Sequence, residues 1–159
     1  MKSTASATSL PFAPENTLAL LREQVVLYTE LAGYADEQRS WITMEDTGAL
    51  LTVLGKRQKL SARLGDVVHR LEPVRRDWVT HRTRFDSTQR LEAKDLLADI
   101  RSRLRDLIDR DEEDVRMLSA RKQAVTSAMR STHSTGQALC ANREDGIGTA
   151  RVTHLDEAS

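Results

Sequence analysis

The sequence contains few of the residues that cross-link a chain or interrupt its regular structure. Its 159 residues include one cysteine, three prolines and seven glycines, and aromatic residues make up 4% of the total. A single cysteine excludes an internal disulfide framework and a cysteine-rich zinc site. So few aromatic and turn-forming residues argue against a sheet sandwich or barrel. Long helices are the expected alternative.

Long apolar runs and an excess of charge of one sign are also missing. No apolar stretch approaches the roughly 20 residues that a membrane-spanning helix needs, and residues 1–8 lack the apolar run of a secretory signal. Basic and acidic residues number 24 each, so the formal net charge is zero. This balance gives no global reason to expect a nucleic-acid or membrane-surface protein. We therefore expect a cytoplasmic protein.

The sequence does contain apolar residues at alternating steps of three and four, which is typical of a buried helix face. A first helix is predicted to begin at Pro14 or Glu15. A second is predicted to follow an N-cap at Asp46 or Thr47 and to kink or end at Pro73, near Glu72. The apolar positions are Leu18, Leu21, Val25, Tyr28, Ala32, Ala35 and Ile42 in the first helix, and Leu50, Val53, Leu60, Leu64, Val67, Leu71, Val74 and Trp78 in the second, where Arg57 is the polar interruption.

A third helix is predicted after Asp86–Gln89, which has the pattern of a capping box. Residues 90–135 contain no glycine or proline, and their apolar row becomes polar at Asp111 and Lys122. The predicted fold is therefore all-α, an elongated antiparallel helical hairpin or coiled-coil-like bundle of three long helices. We expect a flexible lead at residues 1–13, a single helical domain at 14–140 and a flexible tail at 141–159.

The motifs that could support chemistry are weak. One Asp-x-x-His pair lacks the second copy that a di-iron bundle needs, and one Ser-x-x-Lys spacing has no companion motif. One glycine pair follows no strand, as a phosphate-binding loop would. The lone cysteine has no base nearby in sequence. We therefore expect no enzyme, no metal site and no cofactor. The residues concerned are Asp66 and His69, Ser119 and Lys122, Gly146 and Gly148, and Cys140.

Charge is segregated along the chain. Residues 56–90 hold ten basic and four acidic side chains, whereas residues 106–114 hold six acidic side chains and one arginine. The basic stretch could bind nucleic acid, with Trp78 and Phe85 available for stacking. The favoured interpretation is that the basic second helix lies against the acidic third helix and fixes their pairing.

The late part of the third helix carries a further row of apolar residues. These residues could be core or could receive a partner helix in a groove. Core is the expectation for the first two, and binding is the stronger expectation for the region from Val125 onwards, which the shorter helices would not reach. The candidate partner-binding residues are Val115, Leu118, Val125, Met129 and Leu139.

Three blocks of the sequence resemble the FlgN-type flagellar export chaperones, and together they cover residues 18–141. The first is Leu20–Leu31. The second runs from the turn at Asp46 through Leu50, Leu54, the Lys56–Leu60 stretch and Leu64. The third comprises Arg110–Leu118, Ser119–Arg121 and Gly136–Ala138.

This resemblance implies a cytoplasmic, non-enzymatic chaperone made of long helices. Members of that family hold the C-terminal helices of the hook–filament junction proteins FlgK and FlgL before secretion, and they dock on the export gate protein FlhA. The family often uses a late tyrosine for gate docking. Here no tyrosine follows Tyr34, and Ala141 and Asn142 occupy the comparable place, so that docking route is not implied for this chain. The alternative functions are a coiled-coil adaptor or self-associating scaffold and, third, a nucleic-acid-binding protein.

Overall fold

In a computed structural model, the protein is described over residues 12–150, with side chains described to residue 143. This part of the chain is all-α and contains four helices, namely α1 (Pro14–Met44), α2 (Thr47–Arg76), α3 (Trp78–Arg82) and α4 (Ser87–Ala150). The all-α prediction is confirmed, while the number of helices is four rather than three. Residues 1–11 of the predicted lead and residues 151–159 of the predicted tail lie outside the described residues.

The ends of the first two long helices follow from local chemistry. Pro14 lies in the first turn of α1, where a missing backbone donor is tolerated because that donor would have no helical partner. Glu45 ends α1 in the left-handed conformation, with a φ of 61°. Asp46 then caps α2, since its carboxylate accepts a hydrogen bond of 2.9 Å from the backbone N–H of Ala49. Both predicted boundaries are confirmed.

Of the two outcomes predicted for Pro73, a kink or an end of the helix, an end near Glu72 is wrong. The helix α2 continues through Pro73 to Arg76, and the break comes at Asp77, which caps the short helix α3. Proline removes one backbone donor from the helix interior, but Leu71 and Val74 on either side of it are buried. Packing of these two side chains holds the last turn of α2 against the core.

The capping box that was predicted before the third long helix is present. The backbone N–H of Gln89 donates to the Asp86 carboxylate at 2.8 Å, and the backbone N–H of Asp86 donates to the Gln89 side chain at 3.0 Å. From there α4 runs without a break through Asp111 and past Ala141 to Ala150. Helix therefore extends beyond the predicted start of the tail, because glycine lowers helix propensity by only about 1 kcal/mol per residue and does not forbid the conformation.

The helices α1 and α2 are antiparallel, and α1 and α4 are parallel. On α2, Arg57 contacts Gln38 and Arg63 contacts Glu23, so higher numbers on one helix meet lower numbers on the other. Three hydrogen bonds between α1 and α4 each join residues 74 positions apart, and a constant separation requires parallel helices. With Arg22–Glu92, the α1 residues of these bonds recur every seven positions, at Glu15, Arg22, Thr29 and Asp36.

One hydrophobic core joins α1, α2 and the first part of α4. The apolar rows predicted for the first two helices supply six of its buried members, and the corner after α3 adds Phe85, which is 2% exposed and lies edge-on to Trp78 at 5.3 Å. The chain divides into two compact units, Met1–Asp114 and Val115–Ser159, and this core belongs to the first. Its buried members are Leu18, Leu20, Leu21, Leu27, Tyr28, Leu31, Leu60, Val67, Leu71, Phe85, Ala93, Ile100 and Leu107.

Candidate partner-binding surface

The buried face of α4 ends on a carboxylate. Ala93, Ile100, Leu107 and Asp114 recur every seven residues, and all four are buried. The first three are apolar and lie in the core, whereas Asp114 occupies the fourth position with only 2% of its side chain exposed. A buried carboxylate needs partners, because burying an unpaired charge is costly. The surrounding residues supply them.

Asp114 is bound by two neighbouring residues of α1. Its carboxylate accepts one hydrogen bond from Gln38 Nε2 and another from Arg39 Nε, both at 2.9 Å. The hydrogen bond with Asp114 is the main cause that raises the pKa of Arg39, and the charges of Asp114 and Glu113 add to it against a smaller opposing effect of burial. Arg39 is therefore held as a cation beside Asp114.

The polar interruptions of the second and third predicted helices meet in space. Arg57 of α2 donates to Asp111 of α4 at 2.8 Å and also to the Gln38 amide oxygen. The Arg57 side chain is 14% exposed and the Asp111 side chain 42%, so the arginine is largely shielded from water while the carboxylate is partly open to it. We call Gln38, Arg39, Arg57, Asp111 and Asp114 the polar layer. It links α1, α2 and α4 through hydrogen bonds and ion pairs between specific side chains.

The expected pairing of a basic second helix with an acidic third helix is realised at one described ion pair, Arg57–Asp111. The acidic run of α4 pairs mainly with α1 instead, through Arg39 with Glu113 and Asp114. Basic residues of α2 also pair elsewhere, since Arg63 lies 3.8 Å from Glu23 of α1, and Arg75 and Arg76 pair with Glu72 of their own helix. The predicted pairing of α2 with the acidic run is therefore realised at Asp111, whereas Glu113 and Asp114 pair with α1 instead.

The five candidate partner-binding residues all lie after the polar layer, in the second unit. We call them the late stripe and residues 115–143 the late segment. Within the late segment no side chain is buried. The expectation that the first two residues of the stripe are core is wrong, because they are exposed like the other three: Val115 62%, Leu118 38%, Val125 49%, Met129 68% and Leu139 64%.

Three polar residues of the site were missed from the sequence, namely Gln38, Arg39 and Asp114. For Gln38 and Asp114 the sequence contained a signal. Asp114 continues the seven-residue spacing of Ala93, Ile100 and Leu107, and Gln38 continues that of Thr17, Gln24 and Leu31, all of which are buried. A polar residue in register with a buried row predicts a buried polar contact.

The weak chemical motifs lie on helix surfaces. Asp66 and His69 are exposed on α2, Ser119 and Lys122 are exposed on α4, and Cys140 is exposed further along α4. Over the described residues there is no group of three or more His, Cys, Asp or Glu side chains that could hold a metal ion. No helix in the described part of the chain is both long and apolar enough to cross a membrane.

In comparisons with known proteins, the chain matches no family model, no curated protein and no solved structure. The resemblance to the FlgN-type chaperones therefore stays a prediction that rests on the three sequence blocks. The geometry of the late segment is the basis for a functional proposal.

Proposed function

We propose that this protein is a non-enzymatic binding protein whose late stripe receives an amphipathic helix of a partner protein. The observation that carries the proposal is the late stripe itself, five large apolar side chains that are 38% to 68% exposed on one helix. Exposed apolar rows of this kind are typical of surfaces that a partner covers. A helix laid along such a row recognises it through residues at steps of three and four.

The proposal has a thermodynamic basis. Complete burial of one large apolar side chain contributes about 1.5–3 kcal/mol, and covering side chains that are 38% to 68% exposed gains roughly half of that each. Several such side chains covered together would outweigh the cost of association, which consumes several kcal/mol. Binding in the micromolar range is the expected result.

The resemblance to FlgN-type chaperones supports a more specific form of the same proposal. In this form the protein is a cytoplasmic chaperone of flagellar, type III export. It covers the C-terminal helices of FlgK- and FlgL-like junction proteins until secretion, and the export gate protein FlhA is a possible second partner. The same resemblance, with the heptad spacing of the contacts between α1 and α4, favours a coiled-coil-like bundle.

The experiment measures binding of fluorescently labelled C-terminal helices of junction proteins to the full chain by anisotropy. Val125→Asp is expected to weaken binding at least tenfold, because it places a charge in the late stripe. The matched control is Val26→Asp on α1, since Val26 is 55% exposed against 49% for Val125. No binding to the unmodified chain at micromolar concentration would reject the chaperone proposal, and equal loss in both variants would reject the late stripe as the site.

Self-association as a scaffold is the second candidate, and the same exposed stripe favours it. The apolar row of α2 supports it less, because Leu60, Val67 and Leu71 of that row are buried in the chain's own core. The late stripe is the exposed surface on which this candidate rests. Size-exclusion chromatography with light scattering tests this candidate: a stable oligomer that Val125→Asp dissociates supports the scaffold, and a monomer at all concentrations rejects it.

A further inference from the structure

The late segment carries charge of one sign only. Residues 115–143 include five basic side chains and no aspartate or glutamate, although the chain as a whole is neutral. The acidic residues of α4 lie on either side of it, within residues 92–114 and at Glu144 and Asp145. Any partner that covers the late stripe therefore meets a basic surface. The basic residues are Arg116, Arg121, Lys122, Arg130 and Arg143.

Two of these basic residues lie beside or within the late stripe with their side chains exposed. Lys122 is four residues after Leu118 and three before Val125, which places it in the same row. Arg130 follows Met129 directly. Since Arg116 and Arg121 already take part in polar interactions of their own, Lys122 and Arg130 carry the argument.

The first unit shows how a charge within an apolar row is accommodated in this protein. Arg57 interrupts the apolar row of α2, and Asp111 interrupts that of α4. The two side chains meet at 2.8 Å. The facing helix supplies the opposite charge, because a cation covered by an apolar surface would lose its water without compensation.

We infer that the partner of the late stripe is an acidic amphipathic helix with a carboxylate in its apolar row, opposite Lys122. This inference rests on the proposed function, since it names the chemistry of the helix that the late stripe receives. A carboxylate at that position would form an ion pair with Lys122, as Asp111 does with Arg57. Further carboxylates flanking the partner's apolar row would face Arg130.

Other occupants fit the late segment less well. A second copy of the late segment would bring only basic residues against basic residues, and like charges across an interface are strongly unfavourable. Helices that lie in a membrane surface carry tryptophan, phenylalanine and leucine on the apolar face, and single-stranded nucleic acid binds by stacking on aromatic residues. The late segment offers leucine but no tryptophan, phenylalanine or tyrosine.

The test uses two synthetic helical peptides of equal length with the same leucine row. One peptide has glutamate at the flanking positions and at one central position within the row, and the other has lysine at the same positions. Binding of each peptide to the full chain is measured by fluorescence anisotropy at low and at physiological salt. The acidic peptide is expected to bind at least tenfold more tightly at low salt, and the difference is expected to shrink as salt screens the charges.

A charge reversal in the chain tests the role of Lys122. Lys122→Glu is expected to weaken binding of the acidic peptide about fivefold and to improve binding of the basic peptide, given the usual strength of exposed ion pairs. The matched control is Lys94→Glu, which makes the same change at another exposed position of α4. This control is expected to leave both affinities unchanged.

The possible outcomes separate the inference from the proposed function. Equal affinity for the two peptides overturns the acidic partner and leaves the late stripe as a docking surface. Binding of neither peptide overturns the docking surface itself. If the chain binds phosphatidylserine-containing vesicles and shows no preference between the two peptides, the inference is overturned in favour of a membrane. If Lys122→Glu strengthens a dimer of the chain, the inference is overturned in favour of a second copy.

Discussion

The same substitution at a buried and at an exposed leucine tests where the core of this protein ends. Leu27 is 1% exposed and belongs to the core of α1, α2 and α4, whereas Leu139 in the late stripe is 64% exposed. Leu27→Ala and Leu139→Ala remove the same atoms from two helices. Any difference in stability therefore reports what covers each side chain.

The magnitudes follow from burial. Leu27→Ala loses its buried side chain and leaves a cavity, which costs about 2–5 kcal/mol in the free energy of unfolding. Complete burial of a leucine is worth about 1.5–3 kcal/mol, and only about a third of Leu139 is covered. Leu139→Ala should therefore cost less than about 1 kcal/mol, and the better helix propensity of alanine reduces that loss slightly.

The assay is equilibrium urea denaturation of the full chain followed by far-ultraviolet circular dichroism. Both variants are expected to keep the slope of the unmodified protein, because the surface exposed on unfolding is nearly the same. If Leu139→Ala cost as much as Leu27→Ala, Leu139 would be covered in solution and the late stripe would not be open. If Leu27→Ala cost less than about 1 kcal/mol, the assigned core would be wrong.

Three further predictions concern the polar layer and the helix ends. Asp114→Ala should destabilise the protein by about 1–3 kcal/mol, because it leaves the Gln38 amide unpaired. Asp114→Asn should cost less, because its amide oxygen can still accept the hydrogen bond from Gln38. Equal losses of unfolding free energy for the two variants in urea denaturation would contradict the role of this hydrogen bond. Asp86→Ala should cost about 1 kcal/mol through loss of the α4 cap, whereas Asp86→Asn should cost little in a thermal melt. Pro73→Ala should stabilise α2 by about 1–2 kcal/mol, because it restores a backbone donor inside the helix; a lower melting temperature would refute this.

The predictions that succeeded depend on neighbours in sequence. The capping box of Asp86 and Gln89 and the cap at Asp46 involve groups three residues apart, so the residue types alone were sufficient. The apolar row of α1 is likewise a local pattern, and Leu18, Tyr28 and Ile42 from it are buried as expected. Helix type and the buried face were predictable for this reason.

The predictions that failed depend on what lies opposite a residue in space. Helix α2 passes through Pro73 because packing on either side outweighs one lost donor. Charge counts predicted that the acidic run of α4 would face α2, yet Arg39 of α1 takes Glu113 and Asp114. Val115 and Leu118 continue an apolar row and were expected to be core, but no helix of the described chain buries them. Periodicity marks a face as apolar without showing what covers it.

By itself the sequence determined that this protein is all-α, where its three long helices begin and which faces are apolar. These properties follow from backbone propensity and from interactions within one or two helical turns. Only the tertiary structure decided that α1 and α4 run parallel, that Arg57 meets Asp111, and that the late stripe is left exposed. Each of these depends on pairing between residues far apart in the chain, and many pairings are compatible with the same helical pattern.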